Sequence, residues 1–169
     1  MIIAYKDLEK LRDKHKDKKI VFCIGVFDMT HVGHILFFEG CKEYGDILVV
    51  GVGRDSFIKK YKSVQRPILN EKIRLKTVDA LKPVDYTFLD IMEEWKGKAT
   101  HEENLGSIFK LLKPDVYIVN EDGSDKDERK LIANENHVEF IVLPRFCPEE
   151  YESISTTKII EKIKMLDND

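Results

Sequence analysis

Apolar residues in this chain follow two alternating patterns. Continuous runs at Lys19–Val26, Asp46–Val52, Tyr86–Leu89, Val116–Val119 and Val138–Leu143 read as strands. The first is apolar enough for burial on both faces, as in a parallel sheet. Between the runs, apolar positions recur at helical spacing. In Val32–Tyr44 they fall at Ile35, Phe38, Cys41 and Tyr44, and Gly45 follows where a helix C-cap is expected. A polar helix start and a basic loop follow the second run. Asn70 is placed to cap a helix over Glu71–Leu81. Glu102–Leu112 and the polar Asp125–Asn136 read as further helices. Thr156–Leu166 reads as an amphipathic one with Ile159, Ile160, Ile163 and Leu166 in phase. Asp7–Lys18 has few apolar positions and reads as an exposed helix.

Strands alternating with helices predict an α/β fold: a Rossmann-like, doubly wound, mostly parallel five-stranded sheet with helices on both faces. No internal repeat or boundary divides the 169 residues. Residues 1–169 are therefore expected to form one domain, with 1–18 as an N-terminal helical extension. The polar stretch Glu93–Glu103 reads as a surface excursion. Ligands in such sheets sit beyond the carboxyl ends of the strands, at the switch point. That directs attention to the loops Phe27–His31, Arg54–Asn70, Asn120–Ser124 and Pro144–Ser155.

Composition narrows the class. A net charge of −3 lacks the basic excess of a general nucleic-acid binder, but it permits a small anion held by local charge. No window supplies the roughly 18 apolar residues of a membrane span, and the N-terminus lacks a signal-peptide pattern. Cys23, Cys41 and Cys147 are odd in number and widely spaced. They suit reduced thiols in a cytoplasmic protein, with Cys23 as a small core residue.

The strongest chemical feature is Gly25-Val-Phe-Asp-Met-Thr-His-Val-Gly-His34, which runs from the first strand into the first long helix. His31 and His34 are three apart and share one face of a helical turn. Gly33 removes a side chain where something must approach closely. Free amides and the helix dipole favour an anion there. Imidazole donors, amides and glycine together describe a phosphate cradle. A histidine pair also suits a metal, with Asp28 as a third ligand. The run Lys59-Lys-Tyr-Lys-Ser-Val-Gln-Arg66 reads either as a solvated basic loop or as an arm that closes over phosphates. Asp55 follows the second strand as a site residue or a helix cap. Ser155 or Thr156 is a good N-cap for the last helix.

Taken together, these segments resemble the HxGH nucleotidyltransferase superfamily, in its cytidylyltransferase-like branch. The similarity runs from about Val21 to Ile163 through the Gly-x-Phe-Asp…His-x-Gly-His turn, Gly45-Asp-Ile-Leu-Val-Val-Gly-Val, the Lys62…Arg66-Pro…Arg74 stretch, Lys113-Pro-Asp-Val and Ile154-Ser-Thr-Thr-Lys158. Its nearest patterns are those of glycerol-3-phosphate cytidylyltransferases and of the heptose 1-phosphate adenylyltransferase domain. The resemblance implies that His31 and His34 contact the triphosphate and stabilise the transition state. It makes Lys62 the phosphate lysine, with Lys60 the next match, and turns Arg74 toward the active site. Gly25, Val26 and Phe27 would cradle the nucleotide by their backbone, with Val26 standing where relatives often carry threonine. Asp122, Arg145, Ser155, Thr156 and Thr157 would complete the nucleotide site. In Asn120-Glu-Asp-Gly123, Asn120 replaces a usual glycine near the base. The segment Phe146–Ser153 is longer than in the relatives, and Trp95 reads as surface packing or part of an acceptor pocket.

The implied activity joins a nucleotide to a small phosphorylated acceptor, with release of pyrophosphate. Mg²⁺ is implied as the companion of the triphosphate; no fixed metal site is expected, although Asp28 and Asp122 are the acids within reach. CTP leads, on Ile154-Ser-Thr-Thr, with a polyol, sugar, amine or amino-acid-derived phosphate as acceptor. ATP with a sugar 1-phosphate such as heptose 1-phosphate is the alternative. A non-catalytic nucleotide-binding module and a histidine metal protein are the readings from other classes. A homodimer is compatible with the resemblance.

Overall fold

The computed structural model describes residues 1–61, 65–90 and 101–166. Its five strands are β1 (Ile20–Gly25), β2 (Ile47–Val52), β3 (Tyr86–Leu89), β4 (Val116–Asn120) and β5 (Glu139–Leu143). They form one sheet in the order β3-β2-β1-β4-β5, and every pairing is parallel. The helices are α1 (Leu8–Lys14), α2 (Val32–Lys42), α3 (Asp55–Tyr61), α4 (Glu71–Asp79), α5 (His101–Leu112), α6 (Lys126–Glu135) and α7 (Thr156–Leu166).

Side-chain alternation along the strands builds two cores. Val21, Cys23, Leu48, Val50, Val52, Val116 and Ile118 face one way and pack with Phe38 and Cys41 of α2 and Val78 of α4. Ile20, Phe22, Val49, Phe88, Tyr117 and Val119 face the other way and pack with α1, α5 and α6. The helices joining β1, β2 and β3 thus cover one face, and those joining β3, β4 and β5 cover the other. This is the double winding expected from the sequence. Asn70 caps α4, its side chain accepting from the amides of Lys72 and Ile73 at 3.1 Å.

Two local expectations need correction. The N-terminal stretch is not an exposed appendage, because Leu8 and Leu11 of α1 are buried in the core with Leu105, Ile108 and Leu112 of α5. Two leucines one turn apart suffice to seat a short helix, however polar its other faces. Residues 1–3 also extend the sheet edge: the Thr87 amide donates to the Met1 carbonyl and the Ile3 amide to the Thr87 carbonyl. Gly45 does not adopt the left-handed conformation of a helix cap. A Cβ there would stand 2.7 Å from the Lys19 carbonyl oxygen, so it is glycine because two backbone segments meet.

The topology fixes where a ligand can sit. After β1 the chain winds to β2 and β3; later it returns to β4 on the other side of β1, so the carboxyl ends of β1 and β4 open onto a crevice. The His31–His34 turn leaves β1 there, and residues 121–125 leave β4 beside it.

Candidate functional site

The turn after β1 is tightly wound. Phe27 and Met29 both have positive φ (51° and 47°), which non-glycine residues rarely adopt and which concentrates at functional sites. The Phe27 ring folds over Gly25, where a Cβ would lie 2.9 Å from it. It also packs at 4.8 Å on Phe38 and edge-on to His34 at 5.5 Å, between ring centres. His31 is the N-cap residue of α2, in extended conformation and with no cap bond from its side chain. Its ring lies nearly flat against that of His34, with 3.9 Å between centroids and 23° between planes. Gly33 makes this possible: a Cβ there would come within 3.1 Å of the His31 ring. The close approach read from the sequence is thus made by the histidine itself.

His31 Nδ1 is shielded from solvent and has no hydrogen-bond partner among the described residues. Such an orphaned polar atom needs an explanation in a native structure, and a ligand supplies one. Burial, and secondarily the Arg145 guanidinium, push the His31 pKa below its ordinary 6.5. The ring is therefore neutral at neutral pH in the free chain. Asn120 Oδ1, at the carboxyl end of β4, is also buried without a partner.

The start of α7 abuts this turn. The Thr156 hydroxyl donates to the Asp28 carbonyl at 2.8 Å, and the Ile154 carbonyl lies beside Gly33. Ser155 caps the helix, its Oγ accepting from the Lys158 amide at 3.2 Å. Arg145 donates to the Ile154 carbonyl at 2.6 Å and lies 3.5 Å from Asp122. Gly25, Val26, Phe27, His31, His34, Asp122, Arg145, Ser155, Thr156 and Thr157 accordingly gather around the crevice. Lys62 and Trp95 lie outside the described residues.

One acid and an arginine behave differently from expectation. Asp28 is buried, and its carboxylate accepts from the Ile68 amide at 2.7 Å and the Leu69 amide at 2.9 Å. Both oxygens are occupied in tying the far end of the basic loop to the His turn, so Asp28 is not placed to hold a metal. Asp122 is largely exposed beside Arg145. Among the described residues no group of three or more His, Cys, Asp or Glu side chains gathers as a metal site. Arg74 does not open onto the crevice. It is fully buried and donates to the carbonyls of Leu69, Val26 and Gly53 at 2.9 Å or less and to Asp55 Oδ1 at 2.7 Å. It is a brace beneath the site, and Asp55 is its counter-ion. Sequence reasoning could not see this, because an arginine one turn into a polar helix carries no mark of burial.

The chain as a whole has relatives among known proteins. The cytidylyltransferase-like family model matches residues 22–162. The chain belongs to that family, and with it to the nucleotidyltransferase enzymes. Among curated proteins it is similar to the bifunctional protein HldE of Aliarcobacter butzleri strain RM4018, 33% identical over 165 residues, which cover 96% of this chain and 31% of that protein. HldE of Helicobacter pylori strain P12 is 35% identical over 162 residues, 96% of this chain and 31% of that protein. The chain thus spans about a third of the length of these relatives. Among solved structures it is similar to a lipopolysaccharide core biosynthesis protein from Thermoplasma volcanium GSS1, with TM-score 0.61 and 27% identity over 78% of this chain and 99% of that one. Pantothenate synthetase from Thermus thermophilus shares the fold, with TM-score 0.64 at 15% identity over 97% of this chain and 70% of that one. Among the described residues no helix is long and apolar enough to cross a membrane.

Two outcomes follow. Arg74→Ala removes a fully buried cation from three carbonyls and the partly buried Asp55 carboxylate, and is expected to lower unfolding stability by about 3 kcal/mol in a urea titration without nucleotide. A loss of activity with unchanged stability would return Arg74 to the ligand-facing role. For His31, the folded chain holds the imidazole proton less tightly than the unfolded chain does. Above pH 6.5 the two states bind it equally little; as pH falls below 6.5 the unfolded chain protonates first and stability declines. His31→Gln is expected to flatten that part of the stability–pH curve, and an unaltered slope would contradict the buried neutral ring.

Proposed function

We propose that this chain transfers a nucleotidyl group from a nucleoside triphosphate to the phosphate of a small acceptor, and that the pair is ATP and a sugar 1-phosphate. The observation that carries the reaction class is the stacked His31–His34 pair, set where α2 begins and beside the start of α7. Two helix N-termini, two imidazoles and the Arg145 guanidinium converge there on one small volume, as a triphosphate requires. Matches to HldE over 96% of the chain, and the resemblance to the heptose 1-phosphate adenylyltransferase domain, favour ATP. The similarity to a lipopolysaccharide core biosynthesis protein favours a sugar acceptor. CTP remains the second reading, supported by Ile154-Ser-Thr-Thr.

In this reading an acceptor phosphate oxygen attacks the α-phosphorus in line, the bond to the bridging oxygen breaks, and pyrophosphate leaves. The acceptor is already ionised, so no protein base is needed and catalysis rests on positioning and charge. The backbone of Gly25, Val26 and Phe27 lines the floor, held by Arg74. His31 and His34 donate to the phosphate oxygens as charge develops. Neutral His31 has one N–H to give; a bound triphosphate favours the protonated ring, which has two. Ser155, Thr156 and Thr157 present the α7 start to the same phosphates, and Lys62 is assigned to them from the sequence. Mg²⁺ would ride on the triphosphate and neutralise it, with exposed Asp122 the acid open toward it.

His34→Ala is expected to lower turnover roughly 100–1,000-fold, the usual effect of losing one preorganised donor, with an unchanged melting temperature. Wild-type turnover in that variant would remove His34 from the mechanism. Pyrophosphate release from ATP, CTP, GTP and UTP, each against a panel of sugar 1-phosphates and polyol phosphates, tests the substrates. Release with CTP and a polyol phosphate alone would replace the ATP reading, and nucleotide binding without release for any pair would leave a binding module.

A further inference from the structure

We propose that Arg66 is a phosphate-contacting residue of the nucleotide site, an assignment that rests on the triphosphate reading above. Arg66 lies at the seam between the His turn and the start of α7. One terminal nitrogen stands 3.8 Å from Asp28 Oδ2, and the other donates to Thr157 Oγ1 at 3.4 Å. Both exceed the roughly 2.7–2.9 Å of a charge-assisted hydrogen bond. Asp28 already spends its two oxygens on the Ile68 and Leu69 amides, at 2.7 and 2.9 Å. It therefore balances the arginine's charge without engaging its fork.

The contrast with Arg74 defines the role. Arg74 has 0% side-chain exposure and bonds of 2.9 Å or less to four acceptors, so it is committed to the protein. Arg66 keeps 23% exposure and two long contacts, so its planar donors are oriented but not consumed. A guanidinium in that state matches two oxygens of a phosphate. Its neighbours point the same way. Thr157 is the second residue of α7, so an anion at that helix start lies within reach of the arginine. Across the turn stands the orphaned His31 Nδ1, with Arg145 near enough to depress the histidine's pKa. Arg66 and Arg145 thus flank the cradle from two separate loops. Asp28 anchors the loop end so that the arginine arrives in place.

The test is calorimetric binding of ATP, ADP, AMP and inorganic tripolyphosphate, with the cytidine series alongside, to the wild-type chain, Arg66→Ala and Arg66→Lys. Arg66→Ala is expected to weaken ATP and tripolyphosphate roughly 10–100-fold, the range for a charged hydrogen bond, while AMP changes less than about twofold. Arg66→Lys is expected to recover part of the loss, because it restores the charge and not the fork. Equal loss for all ligands, as a purely structural role would give, overturns the assignment. So does unchanged ATP binding in Arg66→Ala when the wild-type chain prefers triphosphate to monophosphate; the nucleotide reading then stands and only Arg66 falls. A wild-type chain that binds no triphosphate of either base removes the nucleotide reading and this assignment with it.

Discussion

The structure depends on one buried cation. The Arg74 guanidinium has no access to water, so its desolvation must be offset entirely by protein acceptors. The acceptors are the carbonyls of Val26, Gly53 and Leu69 and the Asp55 carboxylate. Val26 follows β1, Gly53 follows β2 and Leu69 precedes α4. A single side chain therefore ties the carboxyl ends of two adjacent strands to the end of the basic stretch. With the β1 end held, the turn from Phe27 to Met29 can be kept in left-handed conformations that it would otherwise leave.

Asp28 performs the complementary task one residue beyond Phe27. Its carboxylate holds the Ile68 and Leu69 amides and its carbonyl receives the Thr156 hydroxyl. Three segments far apart in sequence meet on one residue: the His turn, the end of the basic loop and the α7 start. The turn proposed to hold the phosphates is thus assembled by contacts within the protein itself. Preorganisation of this kind is what electrostatic catalysis requires, because donors that are already oriented cost little to align when charge develops.

The fold was legible because strand burial and helix spacing leave a mark at nearly every position. All five runs became strands within a residue or two, and Asn70 capped α4 as its side-chain chemistry predicted. The misses share one cause: they depend on what a residue meets across the fold. Leu8 and Leu11 looked too sparse to seat a helix until α5 arrived beside them. Gly45 resembled a cap, yet serves a backbone contact with Lys19. In the site, the Gly33 vacancy and the His31–His34 spacing were local, so their juxtaposition could be read directly. Asp28 was not, since its partners lie forty residues on, and a carboxylate beside two histidines suggests a metal before it suggests two amides.

Arg66 and Arg74 show how far environment outweighs residue type. They stand eight positions apart, and the resemblance gave the ligand-facing role to Arg74 rather than to Arg66. Burial separates them: four acceptors at close range convert Arg74 into scaffold, whereas Arg66 is left with two long contacts and a remnant of exposure. A guanidinium can serve only one master at full strength, because each N–H donated at short range to a carbonyl is unavailable to a ligand. The cation that the fold has already satisfied is therefore the wrong place to seek substrate contact. The partly satisfied one, held near its counter-charge by a carboxylate whose oxygens are occupied elsewhere, is the group that a bound anion would complete.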